Sequence, residues 1–333
     1  MSAERELCIF CSDWLRDAWM LNRRTALLGA AGTMGLQVKA FAQARARPRV
    51  GFANADPALS AAVADELRRL GWPPERIELL QAGPGAPIDE LDALLARQLD
   101  ILVAPGALRI RHAAARTSIP IVGIDLESDP VESGFVRSLG RPGGKITGIW
   151  LDGPELAGKL IQQIREIIPG LRRLTILYDS RVGLPQFAAA QAAVLREGLE
   201  SVPFPLVDPR EAGGLLTLAP ALGSEALIVL TSPAVYVIRK EIAAAALARG
   251  IPSVSILTDF ARAGGLMAYG PSLRAMFRRS ATYVDRILRG QAPGDLPVER
   301  PDTFELVLNR TTADRLGLVL TPAIVARADE IIE

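Results

Sequence analysis

The sequence predicts an α/β protein of two lobes, each a parallel sheet covered by helices on both faces. Three observations carry this. The short apolar runs Asp100-Ile-Leu-Val-Ala104, Pro120-Ile-Val-Gly-Ile124 and Glu225-Ala-Leu-Ile-Val-Leu230 are continuous rather than alternating, as strands buried on both faces are. They alternate with stretches of helical spacing stopped by Gly or Pro. The alternation occurs before and again after Trp150, in pattern only and without a detectable sequence repeat. At 333 residues and 49% apolar content, the chain is long for one simple domain and has material for substantial cores.

In the first series, Arg49–Ala53 reads as a strand ending at Asn54-Ala-Asp56-Pro57. Helical spacing over Leu59–Leu70 stops at Gly71 and Pro73-Pro74. A strand at Arg76–Leu80, a Gly/Pro loop over 83–87 and a helix over Ile88–Gln98 follow. The strand Asp100–Ala104 ends at Pro105-Gly106-Ala107, and Leu108–Thr117 is a helix. The strand Pro120–Ile124 empties into the polar turn Asp125-Leu-Glu-Ser-Asp129-Pro130; a helix-like segment then leads to a turn at Arg141-Pro-Gly-Gly144 and a strand at Ile146–Ile149.

The second series opens with an amphipathic helix, Pro154–Ile168, stopped by Pro169-Gly170. The strand Leu174–Tyr178 ends at Asp179-Ser180, and Leu184–Leu199 is a helix. Val202–Val207 is interrupted by Pro and belongs near a sheet edge. Glu225–Leu230 ends at Thr231-Ser232-Pro233, a helix spans Ala234–Arg249, and Ser253–Leu257 is a strand. Leu273–Leu288 is a helix, Pro293–Pro301 is linker-like, Phe304–Leu308 is a last strand, and two short helices finish the chain.

Composition excludes several function classes. A net charge of +1 gives no argument for nucleic acid, and 5% aromatic content gives no stacking platform for single strands. The single histidine, His112, removes most His-based metal and triad chemistry. Cys8 and Cys11 form a C-x-x-C, but no second pair or nearby His completes a zinc site.

The N-terminal region reads as an address. Arg23-Arg24 precede the apolar stretch Ala26–Leu36, and Ala40-Phe-Ala42 offers an A-x-A cleavage site. The apolar run is too short to span a bilayer. The expectation is a removed export signal, of the general secretory or twin-arginine type, with a periplasmic destination. The expected start is Met1 or Met20; both cysteines lie upstream of the cleavage site, and a start at Met20 omits them.

Open α/β sheets place ligands at the carboxyl ends of their strands. Those ends supply Asn54, Asp56, Gly106, Ala107, Asp125, Ser128 and Asp129 from the first series, and Asp179, Ser180, Thr231 and Ser232 from the second. Facing lobes would line a cleft with short polar side chains and helix N-termini, suited to a small zwitterion or carboxylate. The same residue types also cap helices and form turns.

Catalytic signatures are missing. Gly140-Arg-Pro-Gly-Gly144-Lys145 fails the phosphate-loop spacing, because Leu139 and Ile146 occupy the required places. No G-x-G-x-x-G follows the first strand, and no nucleophile elbow or H-E-x-x-H occurs. No cofactor is called for. Asp125 and Asp129 remain as a carboxylate pair for acid–base work, if the scaffold is an enzyme.

Four blocks carry a family resemblance: IPIV followed by DPVESGFVRSLGRPGGKITGI, then GGLMAYGPSL, DLPVERPDTFELVLN and LGLVLTPAIVARADEIIE. Together they resemble the bacterial ABC transporter substrate-binding proteins of the tryptophan/tyrosine-binding type, over nearly all of 48–333. The resemblance implies a type I periplasmic-binding-protein fold: two Rossmann-like lobes with parallel sheets, joined by a hinge. It implies an exported receptor that hands a small-molecule ligand, such as an amino acid, to an ABC permease and its ATPase. By motif, Asp129 matches the family's Asp-Pro turn and Gly106 its turn after the third strand. Asp179-Ser180 and Thr231-Ser232 match polar turns of the second lobe. The chain departs from the pattern at Leu108 and Arg109, where small hydroxyl residues are usual, and around 71–88, which is shorter. Arg109 would suit a more acidic solute if its side chain points inward.

The expected organisation is an N-terminal extension and signal over 1–43, and lobe one over 48–150 with part of the C-terminal region. Lobe two is expected over 151–290, and a crossover with the C-terminal segment over 291–333. Two other functions use the same scaffold: an enzyme built on Asp125 and Asp129, and a sensory ligand-binding module.

Overall fold

The continuous apolar runs fold as expected into two sheets. The computed structural model describes residues 47–333 apart from 55, 83–87 and 152–153. The expected export signal, Cys8 and Cys11 lie outside the described residues.

Lobe one alternates β1 (Arg49–Phe52), α1 (Pro57–Arg69), β2 (Glu78–Gln81), α2 (Ile88–Leu95), β3 (Ile101–Pro105), α3 (Ala107–Arg116), β4 (Ile121–Asp125) and β5 (Ile146–Trp150). Its sheet has the order β2-β1-β3-β4-β5, and every pairing is parallel. All residues of β4 and β5 are buried, which is why neither run alternates with polar positions. Trp150 is 1% exposed, and its ring lies over Gly123 on the neighbouring strand. A Cβ at Gly123 would come within 2.3 Å of the indole, so glycine is what lets the ring lie flat on the sheet.

Lobe two begins with α4 (Pro154–Ile167), β6 (Arg173–Asp179), α5 (Leu184–Arg196), β7 (Glu200–Leu206), α6 (Ala212–Leu216) and β8 (Ala226–Val229). It continues with α7 (Pro233–Val237), α8 (Arg239–Leu247), β9 (Ser253–Ser255), α9 (Thr258–Arg262) and β10 (Met267–Gly270). After α10 (Leu273–Leu288) come β11 (Glu305–Asn309), α11 (Arg310–Arg315), α12 (Pro322–Val325) and β12 (Glu330–Ile332). The sheet order is β12-β11-β10-β9-β8-β6-β7, with the Pro-containing β7 at an edge.

The parallel sheets expected in both lobes are present, and within lobe two β11 runs antiparallel to β10. Four finer expectations are corrected. The chain leaves lobe two after β10, lays α10 on lobe one, and re-enters from that side. α10 packs on α1, β4 and β5, so the boundary of lobe two expected at 290 came one helix too late. Trp72 Nε1 donates to Asp285 Oδ1 at 2.8 Å and Arg289 donates to the Leu70 carbonyl at 3.0 Å, fixing α10 to the α1 corner.

The helix-like segment after Pro130 is only a set of turns. Asp129 Oδ1 accepts both the Val131 and Glu132 N–H groups at 2.8 Å, and Gly134, at φ 71°, ends the turn before a helix can propagate. The single helix expected over 234–249 is broken at Ile238 into α7 and α8. There the Arg239 guanidinium stacks 4.0 Å from the Tyr236 ring centre and donates to the Tyr236 carbonyl at 2.7 Å.

The linker-like stretch 293–301 is in part a sixth strand position of lobe one. Glu299 bridges Ile149 in parallel, with Trp150 N–H donating to the Glu299 carbonyl at 2.9 Å. The chain therefore passes between the lobes after β5, after β10 and after Glu299.

Candidate functional site: an interlobe cavity

Where the strands of both sheets end, a cavity of about 310 Å³ separates the lobes. Lobe one contributes Asn54 and Asp56 after β1, Gly106 and Arg109 after β3, and Ile124, Leu126 and Glu127 at the end of β4. Thr231, Ser232, Pro233 and Tyr236 face them from lobe two, with Leu273 and Phe277 of α10 closing the apolar side.

The local sequence explains the placement. Asp56 is the N-cap of α1, its Oδ1 accepting the Ala58 N–H at 2.8 Å, while Pro57 occupies the first turn. Its other oxygen faces across the cleft and accepts the Tyr236 hydroxyl at 3.0 Å, with Arg239 at 3.9 Å. Burial, then the nearby Asp259 carboxylate, holds the Tyr236 phenol well above its ordinary value, so it remains a donor. Ser232 caps α7 by accepting the Val235 N–H at 3.1 Å and donates to Asp179 Oδ2 at 3.0 Å. Gln186 of α5 bridges the lobes: its Nε2 donates to the Leu126 carbonyl at 2.8 Å and to the Thr231 carbonyl at 3.3 Å, and its Oε1 accepts the Thr231 N–H.

Gly106 sits at φ 81°, a conformation that favours glycine, and its N–H donates to the Ile124 carbonyl at 2.9 Å. A Cβ there would lie 2.6 Å from Pro233 Cγ, so the lobes meet at this glycine.

The structure distributes the expected residues unevenly. Asn54, Asp56, Gly106, Thr231 and Ser232 line the 310 Å³ cavity. Ser128 and Asp129 do not; they line an adjoining cavity of about 210 Å³ on the hinge side, with Arg300 and Trp150. Asp179 lines a third space of about 570 Å³, with Arg109 and Arg181. Ala107 offers only its N–H, to Glu127 Oε2 at 3.2 Å, and the Ser180 hydroxyl donates to the Leu206 carbonyl at 3.1 Å. Asp125, fully buried, accepts the Glu127 N–H at 3.0 Å and the Ser128 hydroxyl, which makes it a turn former.

Glu127 is the residue that sequence reasoning missed. It is 4% exposed and borders all three spaces. Burial, reinforced by the Asp125 carboxylate, pushes its carboxyl well above the ordinary glutamate value. Arg109 does point inward, and burial pulls its guanidinium below the ordinary value while Glu127 partly restores it. Burial alone would raise Asp179; hydrogen bonds from Arg181, at 2.8 and 2.9 Å, and from Ser232 outweigh it and leave the carboxyl low.

Two lobes that present the carboxyl ends of their parallel strands to a shared cavity have the arrangement in which open α/β sheets hold ligands. A profile of the ABC transporter substrate binding protein family matches residues 81–332, and the chain belongs to that family. The tyrosine-binding protein of Clostridioides difficile is 23% identical over 216 residues, covering 61% of this chain; the chain spans 59% of that relative's length. A Streptococcus pneumoniae ABC domain in complex with L-Trp superposes with a TM-score of 0.78 at 19% identity, over 86% of this chain and 100% of that one. A conserved domain protein from Vibrio cholerae gives 0.78 at 22% identity, over 86% and 99%. At these identities the structural likeness concerns the fold. No helix among the described residues is long and apolar enough to cross a membrane.

Proposed function

We propose that this chain is the extracytoplasmic solute-binding receptor of an ABC importer, closing on one small solute and releasing it unchanged to a permease and its ATPase. The observation that carries the reading is the 310 Å³ cavity lined from both lobes at their strand ends. That volume lies at the small end of ligand sites, about 300–1,000 Å³. Its walls are mainly apolar, from Leu59, Ile124, Leu126, Leu257 and Phe277, with polar groups converging from Asn54, Arg109, Glu127 and Thr231. A solute with an apolar body and one polar end fits this division. An amino acid or related carboxylate is the leading class, in keeping with a tyrosine-binding relative and an L-Trp-bound structural neighbour.

The test is a thermal-shift screen of the chain against L-tyrosine, L-tryptophan, aliphatic amino acids and their carboxylate analogues, joined to mass spectrometry of any co-purifying solute. A ligand that binds only the native state at a hundred times its Kd should add about 2.7 kcal/mol of stability. A chain that no such solute stabilises, and that carries none from its native compartment, is not this receptor.

A further inference from the structure

We propose that Glu127 selects the ligand of this cleft, its carboxyl receiving a protonated amine carried by a solute with an apolar body. The proposal rests on the reading of the cleft as a solute site and names the group that reads the solute's polar end.

The geometry comes first. Glu127 follows β4 at the point where the lobes meet, buried yet bordering all three interlobe spaces. Among the described residues its side chain has one hydrogen bond, from the Ala107 N–H to Oε2. Oε1 lies on the Gly106 side, 3.2 Å from where a Cβ on that residue would stand, so the glycine keeps this face of the carboxyl uncrowded. Leu126 and Ile124 flank it along the chain, and Leu273 and Phe277 of α10 line the same cavity. An ammonium at Oε1 would therefore leave its carbon body against apolar walls.

Charge points the same way. The groups acting on Glu127 are Asp125 on its own segment, Arg109 and the Ala107 N–H from α3, and Asp179 and Arg181 from lobe two. Asp179 and Arg181 pair with each other, at 2.8 Å. What remains beside Glu127 is Arg109, the weakest of the influences on it, and a second buried carboxyl, Asp125, held above its ordinary value mainly by burial; burial and Asp125 outweigh Arg109 and leave the Glu127 carboxyl raised. Two buried carboxyls so close resist ionising together unless a cation is supplied. With the pocket vacant, a proton on Glu127 supplies the compensation; an entering ammonium replaces that proton. Binding of an amine then releases a proton to solvent and strengthens as pH rises through the Glu127 titration, whereas a solute without the amine shows neither effect.

The experiment uses the full chain, its E127Q variant and E127D as a carboxyl-retaining control. Matched probes are L-tryptophan against indolepropionate, L-tyrosine against hydroxyphenylpropionate, and tryptamine as an amine without a carboxylate. Titration calorimetry in buffers of different ionisation enthalpy reads affinity and protons released together. The wild type should prefer an amine-bearing probe over its deaminated partner by about tenfold or more, and release up to about one proton per ligand. E127Q should lose both the preference and the proton release; E127D should keep the proton release at reduced affinity. Amine preference retained in E127Q, or a wild type that binds deaminated probes equally well, overturns the proposal and leaves the receptor reading standing. A wild type that binds none of these amines also overturns it, and co-purification of a solute then decides the receptor reading separately.

Discussion

Tyr236 of lobe two donates its hydroxyl across the cleft to Asp56 Oδ2 of lobe one, at 3.0 Å. The bond ties the α7 segment to the N-cap of α1 and closes one side of the cavity. Tyr236→Phe removes it without changing the ring that Arg239 stacks on. A hydrogen bond to a charged acceptor contributes about 1.5–3 kcal/mol. The variant should release ligand about tenfold faster, and its ligand-free form should show a larger radius of gyration in solution scattering. Unchanged scattering and dissociation would remove Tyr236 as a closing contact.

Gly106 of lobe one lies against Pro233 of lobe two. Gly106→Ala meets two obstacles: a backbone at φ 81° and Pro233 Cγ 2.6 Å from the new methyl. The strain costs about 1–3 kcal/mol, and relief requires the lobes to separate. Lower melting temperature by a few degrees, together with weakened ligand binding, is expected from thermal denaturation and calorimetry. Full affinity with an unaltered melting temperature would contradict the contact.

Gln186 is buried and holds three backbone groups, the Leu126 carbonyl and both peptide groups of Thr231. Gln186→Leu fills the volume but leaves those groups unpaired, at about 1–3 kcal/mol for each left unsatisfied. Urea unfolding should register a loss of at least about 2 kcal/mol. A change within about 0.5 kcal/mol would place Gln186 among neutral surface positions.

Asp125 and Glu127 are both raised, first by burial. A carboxyl whose folded value exceeds its unfolded one binds more protons when folded. Its stabilisation is complete below the ordinary values of 3.8 and 4.5, and is lost as pH climbs through the raised values. Asp179 is lowered and acts in the opposite direction, but its contribution is already in place above 3.8. The ligand-free chain should therefore lose melting temperature as pH rises above the ordinary carboxyl range, and Glu127→Gln should flatten that slope and be the more stable protein at the alkaline end. A wild-type curve flat over this range would show that Glu127 ionises without penalty.

Strands were the most legible part of the sequence. β3, β4 and β8 are buried on both faces, so their apolar runs are unbroken and their polar ends conspicuous. That is how Asn54, Asp56, Thr231 and Ser232 could be named from position alone. Glu127 could not, since an acid in a polar turn looks like a cap until the neighbouring lobe buries it. Tyr236, Leu273 and Phe277 come from helices whose apolar spacing reveals a buried face but not which sheet they cover. The same ambiguity put α10 on the wrong lobe. Ser128 and Asp129 were drawn toward the cleft by their place after β4, whereas the turn they form carries them to the hinge side.

The return of Glu299 to the free flank of β5 has a consequence for biogenesis. The first half of the molecule cannot finish assembling when its own strands have been synthesised. Until α10 and the 296–299 stretch arrive, α1 lacks its cover and β5 presents unsatisfied peptide groups to any passing chain. Consolidation thus awaits nearly the whole polypeptide. Fragments ending near residue 150 should be insoluble.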